Sequence, residues 1–202
     1  MTKSSKSTKW IKSHRNDHFV KKSIKENYLS RAAYKLIALN EKYNFLKKST
    51  RVADLGCAPG SWLQVLSEYK NITLIIGIDI LDVEDIEGTT ILKKDILDCN
   101  NLEGYMKNKK LNLVLSDIAP NITGISDIDQ SNFSIIAKSI LSFCEVNLEV
   151  NGLMIMKYFL GSSFEKTHKN LGNYFRKIDV FKPESSKKNS KEVYLVCIDF
   201  KP

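Results

Sequence analysis

Apolar residues along this chain fall into two alternating patterns: short unbroken runs and longer stretches at helical spacing. The runs are Arg51 to Asp54, Ile72 to Asp79, Thr90 to Leu92, Leu111 to Asp117 and Leu153 to Tyr158. Runs this short and continuous predict strands buried on both faces. Between them, apolar positions recur at three- and four-residue steps. This spacing predicts helices over Arg31 to Asn40, Trp62 to Tyr69, Ile128 to Val150 and residues 162–175. Ser30 is the expected N-cap of the first, and Asn151-Gly152 the expected C-cap of the long one. Residues 178–181 and 192–199 read as two final strands joined by the basic segment Lys182 to Lys191, with no helix between them, hence a hairpin. The alternation predicts an α/β fold. Its sheet is expected to have seven strands, mostly parallel with an antiparallel last strand, and helices on both faces.

One connection stands apart. Asp54-Leu55-Gly56-Cys57-Ala58-Pro59-Gly60-Ser61-Trp62 leads from the first strand into a helix. Glycines in such a turn let the backbone approach a ligand, and the helix N-terminus offers free N–H groups. The dinucleotide fingerprint G-x-G-x-x-G is not met, because Ala58 and Ser61 stand where its second and third glycines belong. The spacing present, D-x-G-x-x-P-G, is that of S-adenosylmethionine sites.

Ligands of open α/β sheets sit beyond the carboxyl ends of the strands. The polar residues there are the candidates. Asp54 and Gly56 end the first strand; Asp79 ends the second, where an acidic residue takes ribose hydroxyls. Asp95 follows the third strand, and Asp117 ends the fourth. Asp79 and Asp95 also fit as plain loop carboxylates, and Asp54 as a group that only orients the turn. Lys157 interrupts an apolar strand, and lysine is rarely buried without a partner or purpose. Desolvation makes a lysine a better base, while a neighbouring carboxylate opposes that effect. Glu192 opens the last strand. If that strand runs antiparallel, Glu192 shares an edge with Lys157; otherwise it is a solvent-facing glutamate.

The 202 residues suffice for one domain with a full core, and the net charge is +8. Residues 1–25 hold eight basic residues against Asp17 alone, or +7 of that charge. Such an arm suits a polyphosphate partner, RNA or DNA. A solvated tail or part of an organelle-targeting segment accounts for the same charge. Residues 1–8 read as disordered. No apolar run approaches the ~20 residues of a membrane span, and no signal peptide opens the chain. Cys57, Cys99, Cys144 and Cys197 are widely spaced, which argues against zinc and for a reducing intracellular compartment. His14 and His18 are four apart with no further ligand nearby, so no metal is expected.

Five ordered segments make the chain resemble the FtsJ (RrmJ) family of ribose 2′-O-methyltransferases. They are Ser30 to Leu36, Asp54 to Trp62, Ser116 to Asn121, Met156 to Phe159, and Lys182 to Ser186 continuing to Ser190 to Tyr194. The likeness runs from about Trp10 to Pro202. It implies the Rossmann-like methyltransferase fold and a catalytic K-D-K-E set at Lys35, Asp117, Lys157 and Glu192. It also implies S-adenosylmethionine as cofactor, with S-adenosylhomocysteine as product. The expected cofactor-binding set is Asp54, Gly56, Ala58, Pro59, Gly60, Ser61, Trp62, Asp79, Ile80, Asp95, Ile96 and Asp117. Cys57 and Ser61 depart from the family's usual Ala and Gly without removing a needed group.

Asp117-Ile118-Ala119-Pro120-Asn121 looks like the large-subunit rRNA branch, whereas the tRNA branch tends toward D-G-A-P-D. The expectation is therefore 2′-O-methylation of rRNA, with uridine as the acceptor nucleotide. The substrate form would be a large-subunit particle, and the enzyme a monomer in the cytoplasm or a mitochondrion-type organelle. Residues 1–28 would be an RNA-docking arm and 29–202 the catalytic domain. The rivals are a tRNA or mRNA-cap ribose methyltransferase, an inactive RNA-binding module, and a nicotinamide-dependent oxidoreductase.

Overall fold

The computed structural model describes residues 17–98, 101–106, 109–187 and 189–202. The elements run α1 (His18–Lys25), α2 (Ala33–Tyr43), β1 (Arg51–Leu55), α3 (Ser61–Ser67), β2 (Leu74–Asp79), β3 (Thr90–Lys93), α4 (Glu103–Met106), β4 (Leu111–Ser116), α5 (Ser126–Asn147), β5 (Leu148–Phe159), α6 (Phe164–Leu171), β6 (Phe175–Phe181) and β7 (Glu192–Phe200). They build one seven-stranded sheet in the order β3-β2-β1-β4-β5-β7-β6. Strands β1 to β5 pair in parallel, and β7 lies antiparallel between β5 and β6. The chain winds outward from β1 to β3, then returns to β4 on the other side of β1. The crevice beyond the carboxyl ends of β1 and β4 is thus the sheet's switch point.

Side chains alternate between two cores. Along β5, Met154, Met156 and Tyr158 join the layer that includes α5 residues Phe133, Ile140 and Cys144. Ile155 joins the opposite layer with Leu36 and Leu39 of α2 and Trp62 and Leu66 of α3. Strand β7 splits likewise, with Leu195 and Cys197 in the first layer and Tyr194 and Val196 in the second. This two-residue period decides where the polar residues at the strand ends point.

Several boundaries differ from the sequence expectation. Helix α2 starts at Ala33, and Ser30 is not its N-cap. The Ser30 hydroxyl instead accepts the Ala32 N–H at 3.1 Å and pairs with Ser61 Oγ at 2.7 Å. Helix α5 stops at Asn147, and Leu148 is already extended and paired with Leu111. Asn151-Gly152 therefore lies inside β5 and does not cap a helix. Asn151 takes a φ of 63° where the β4–β5 register shifts, a conformation that Asn tolerates. Helix α6 covers only Phe164–Leu171, and β6 begins at Phe175. Ile72 forms a turn before β2, its N–H donating to Tyr69 O at 2.9 Å. The expected disorder of residues 1–8, His14 and Cys99 lie outside the described residues.

Candidate active site

Four elements deliver one polar side chain each to the sheet's carboxyl edge. Asp117 follows β4, Lys157 is near the end of β5, and Glu192 starts β7, where it pairs with Phe159. Antiparallel β7 is what brings a strand's first residue to the edge where β4 and β5 finish. Lys157 shares the Ile155 face, the side of the sheet that α2 covers, and it converges with Lys35 on Asp117. Lys157 Nζ stands 2.9 Å from Asp117 Oδ1 and also donates to the Asp117 main-chain carbonyl. Lys35 Nζ lies 2.9 Å from Glu192 Oε1 and 3.5 Å from Asp117 Oδ1. Lys35 and Lys157 are only 7% and 8% exposed, so each needs these carboxylates to remain where it is.

Two further side chains complete the cluster. The Tyr194 hydroxyl donates to Asp117 Oδ1 at 2.6 Å, and the Ser186 hydroxyl donates to Glu192 Oε1 at 2.7 Å. Both lie inside the segments that carry the family resemblance, yet neither stands out from sequence. The signal for Tyr194 is its place two residues after Glu192 on an alternating strand. Burial by itself raises the Asp117 carboxyl. The Lys157 and Lys35 charges and the hydrogen bonds from Tyr194 and Lys157 overcome this and hold it below the usual carboxylate range. Asp117 is then an acceptor only. Burial, followed by the charges of Asp117 and Glu192, pushes the Tyr194 phenol well up, so it stays a donor.

The glycine turn lies beside this cluster. Gly56 has φ 76°, and a Cβ there would meet Ile118 Cγ1 at 2.3 Å, so no side chain fits. Gly60 precedes α3 at φ 111°. A small pocket of about 40 Å³ is lined by Asp54, Gly56, Ala58, Pro59, Ser61, Trp62 and Asp117, together with Ala32 and Cys57. Asp54 is 1% exposed, and neither carboxylate oxygen has a hydrogen-bond partner. Burial, then the nearby Asp117 and Asp79 charges, raises its carboxyl well above the usual range. A buried carboxyl with no partner fits an incoming group that carries donors or positive charge.

The remaining expected cofactor residues lie along the neighbouring strand ends. Asp79 Oδ2 accepts the Ala58 N–H at 2.8 Å and Oδ1 the Leu81 N–H at 2.9 Å, which ties β2 to the turn. Asp95 is exposed and accepts the Leu97 N–H at 2.9 Å. Ile80 is exposed, and the Ile96 side chain belongs to the core. Trp62 is buried. Its indole N–H donates to Ala32 O at 2.8 Å, and its ring lies 6.0 Å from that of Tyr194. It therefore braces α2 against α3 from beneath the pocket.

Comparison with known proteins gives this geometry a family. Residues 28–200 match the FtsJ-like methyltransferase family. The chain belongs to that family. It is 37% identical over 199 residues to "Ribosomal RNA large subunit methyltransferase E" of Pelagibacter ubique, covering 98% of each chain. It is 35% identical over 194 residues to the protein of that name from Wolbachia sp. subsp. Brugia malayi, covering 96% of this chain and 89% of the other. A crystal structure described as a ribosomal RNA methyltransferase from Plasmodium falciparum superimposes with a TM-score of 0.77 at 35% identity. It covers 86% of this chain and 98% of that one.

In this FtsJ-like methyltransferase, part of the basic N-terminal region is folded against α2. Asp17 caps α1 by accepting the Phe19 N–H at 2.9 Å, and it pairs with Arg31. Tyr34 is the hub of this contact. Its ring lies 5.6 Å from Phe19 and 5.8 Å from Tyr28, and its hydroxyl donates to Glu26 at 2.8 Å. Lys22 stands 4.5 Å above the same ring. A larger cavity of about 380 Å³ opens at the opposite edge of the sheet among Tyr43, Asn112 and Glu149, and it holds none of the catalytic candidates. No helix among the described residues is long and apolar enough to cross a membrane.

Proposed function

We propose that this FtsJ-like methyltransferase methylates a ribose 2′-hydroxyl of large-subunit rRNA, uridine being the expected nucleotide, with S-adenosylmethionine as methyl donor. The observation that carries the proposal is the joining of Lys157, Asp117, Lys35 and Glu192 next to a pocket holding an unpartnered buried carboxyl. The names of the relatives support rRNA over a tRNA or cap substrate. The broken dinucleotide fingerprint speaks against nicotinamide.

When bound, S-adenosylmethionine supplies an activated methyl group on a sulfonium leaving group. Asp54, Asp117 and the backbone of Gly56 to Trp62 would hold its reactive end. Asp79 and Asp95 would take the nucleoside along the open edge. A ribose hydroxyl is a poor nucleophile at neutral pH and must lose its proton as it attacks. Lys157, ion-paired with Asp117 in the resting protein, takes that proton at Nζ after releasing its own to solvent. Asp117 keeps its charge and orients Nζ through both a carboxylate oxygen and a main-chain oxygen. Lys35 places positive charge where the acceptor oxygen becomes more negative. Glu192, held by Ser186, keeps Lys35 in place. Docking of the RNA on the basic N-terminal region then supplies the alignment that such a transfer needs.

Incubation of the chain with methyl-labelled S-adenosylmethionine and large-subunit rRNA, free or in particles, tests this. Label mapped to one ribose 2′-oxygen is the expected result. Label on a base, or transfer to tRNA alone, overturns it. The same mapping in cells with and without the protein identifies the nucleotide. It also shows whether the enzyme serves cytoplasmic or organellar ribosomes.

A further inference from the structure

Helices α5 and α6 enclose a groove of about 340 Å³ on the flank of the domain, away from the pocket above. Lys138 of α5 and Lys166 and Lys169 of α6 line it, and all three are exposed. Ser134, Asn170 and Asn173 add a hydroxyl and two amide groups to its lining. No carboxylate lines the groove, and none of the three lysines has an ion-pair partner among the described residues. The cavity at the opposite sheet edge differs, with Glu149 and Asp199 among its walls.

Buried hydrogen bonds tie the groove to the strand that carries Lys157. Tyr158, the next residue on β5, faces the α5 layer and is fully buried. Its hydroxyl lies 2.9 Å from Thr167 Oγ1 in the groove wall, 2.7 Å from Ser163 Oγ and 3.4 Å from Ser134 Oγ. The Ser163 hydroxyl donates to Gln130 Oε1 of α5 at 2.7 Å. Satisfied buried networks of this kind fix relative positions. The groove is therefore held in register with the residue assigned to take the acceptor's proton.

We infer that this groove is a second RNA-docking site. It grips the sugar-phosphate backbone of the substrate at a point remote from the modified nucleotide. Cations without competing carboxylates suit phosphates, and interleaved hydroxyl and amide groups suit ribose 2′-hydroxyls and phosphate oxygens. The inference rests on the rRNA reading above, and it adds a foothold that the N-terminal region and the catalytic cluster do not provide.

The test compares two triple variants with equal loss of charge. One is Lys138→Gln/Lys166→Gln/Lys169→Gln in the groove. The other is Lys47→Gln/Lys48→Gln/Lys110→Gln, exposed lysines near the opposite sheet edge. Affinity for a large-subunit rRNA transcript is measured across a salt series. The groove variant should bind about tenfold more weakly, with a log–log salt slope shallower by about 2, as expected when two or three phosphates are no longer neutralised. The control should change less than about threefold on the same electrostatic argument. KM for RNA should rise with kcat retained, and S-adenosylhomocysteine affinity should stay unchanged. Asn173→Asp, which puts a carboxylate into an intact groove, should weaken RNA binding as well. Equal losses in both triple variants would reduce the effect to general charge and overturn the inference. So would a groove variant that binds RNA like wild type, or one impaired only on assembled particles, which would mark a protein contact. A wild-type chain that binds no rRNA fails the underlying reading instead.

Discussion

Tyr194 and Asp117 lie 77 residues apart in sequence and 2.6 Å apart in space, joined by a hydrogen bond from phenol to carboxylate. That bond, with the Lys157 and Lys35 charges, holds the Asp117 carboxyl below the usual carboxylate range. Tyr194→Phe keeps the ring and removes only the donor. Hydrogen bonds to charged groups are worth about 1.5–3 kcal/mol, so kcat should fall about ten- to a hundredfold. S-adenosylhomocysteine affinity measured by calorimetry should hardly move. An unchanged kcat would reduce Tyr194 to packing.

Lys157 should be needed for chemistry and not for cofactor binding. Lys157→Ala should abolish detectable transfer in single-turnover assays while leaving cofactor affinity nearly intact. Lys157→Arg should fail too, because a guanidinium stays protonated and cannot accept the proton. Substantial activity in the Arg variant would assign Lys157 to charge alone.

Asp54 and Asp117 should give opposite pH signatures in stability. The folded pKa of Asp54 is raised, so its contribution is fully present below its unfolded value of about 3.9 and is lost as pH rises through the folded value. The stability of Asp54→Asn relative to wild type should therefore grow as pH rises above about 4, as thermal unfolding across pH will show. The same variant should bind S-adenosylhomocysteine more weakly, a gain of stability at the expense of function. The folded pKa of Asp117 is depressed. Its stabilisation is present above the unfolded value and lost as pH falls through the folded one, so Asp117→Asn should cost more stability at pH 7 than in acid.

Removing residues 1–16 deletes five basic residues and no acidic one. Affinity for rRNA should fall, and its log–log salt slope should flatten by about 0.7–0.9 for each phosphate that this stretch neutralises. Cofactor affinity should not change, because α1 and its Tyr34 contacts remain. Identical RNA affinity and slope would make this stretch a tail or an address signal. Arg31→Ala in the otherwise intact chain should loosen α1, measured as faster amide exchange over His18–Lys25.

The strands were legible because their apolar runs leave one interpretation for β1, β2, β4 and β5. The polar residues that end the first three of these runs read directly as Asp54, Asp79 and Asp117, and Lys157 reads as the lysine that interrupts the fourth. Element ends were less legible. Asn151-Gly152 looks like a helix stop, but pairing of Leu148 with Leu111 ends α5 three residues before Val150 and draws the dipeptide into β5. Ser30 looks like an N-cap, but its hydroxyl is engaged by Ser61 from a distant turn. In both cases a long-range partner overrode a local preference, and such partners leave no local trace.

Local sequence determined the switch-point turn, the strand-end carboxylates and the basic N-terminus, because backbone needs and apolar periodicity act over a few residues. The five family-like segments extended this to a family and a catalytic quartet. Only the tertiary structure decided that β7 inserts between β5 and β6 and sets Glu192 against Lys35. It likewise decided that Tyr194 and Ser186 complete the cluster, and that Trp62 lies under the pocket as a brace. It also left Asp54 buried without a partner. Those outcomes depend on strand order and on which face each side chain takes, and both emerge only when the sheet is assembled and its two cores are filled.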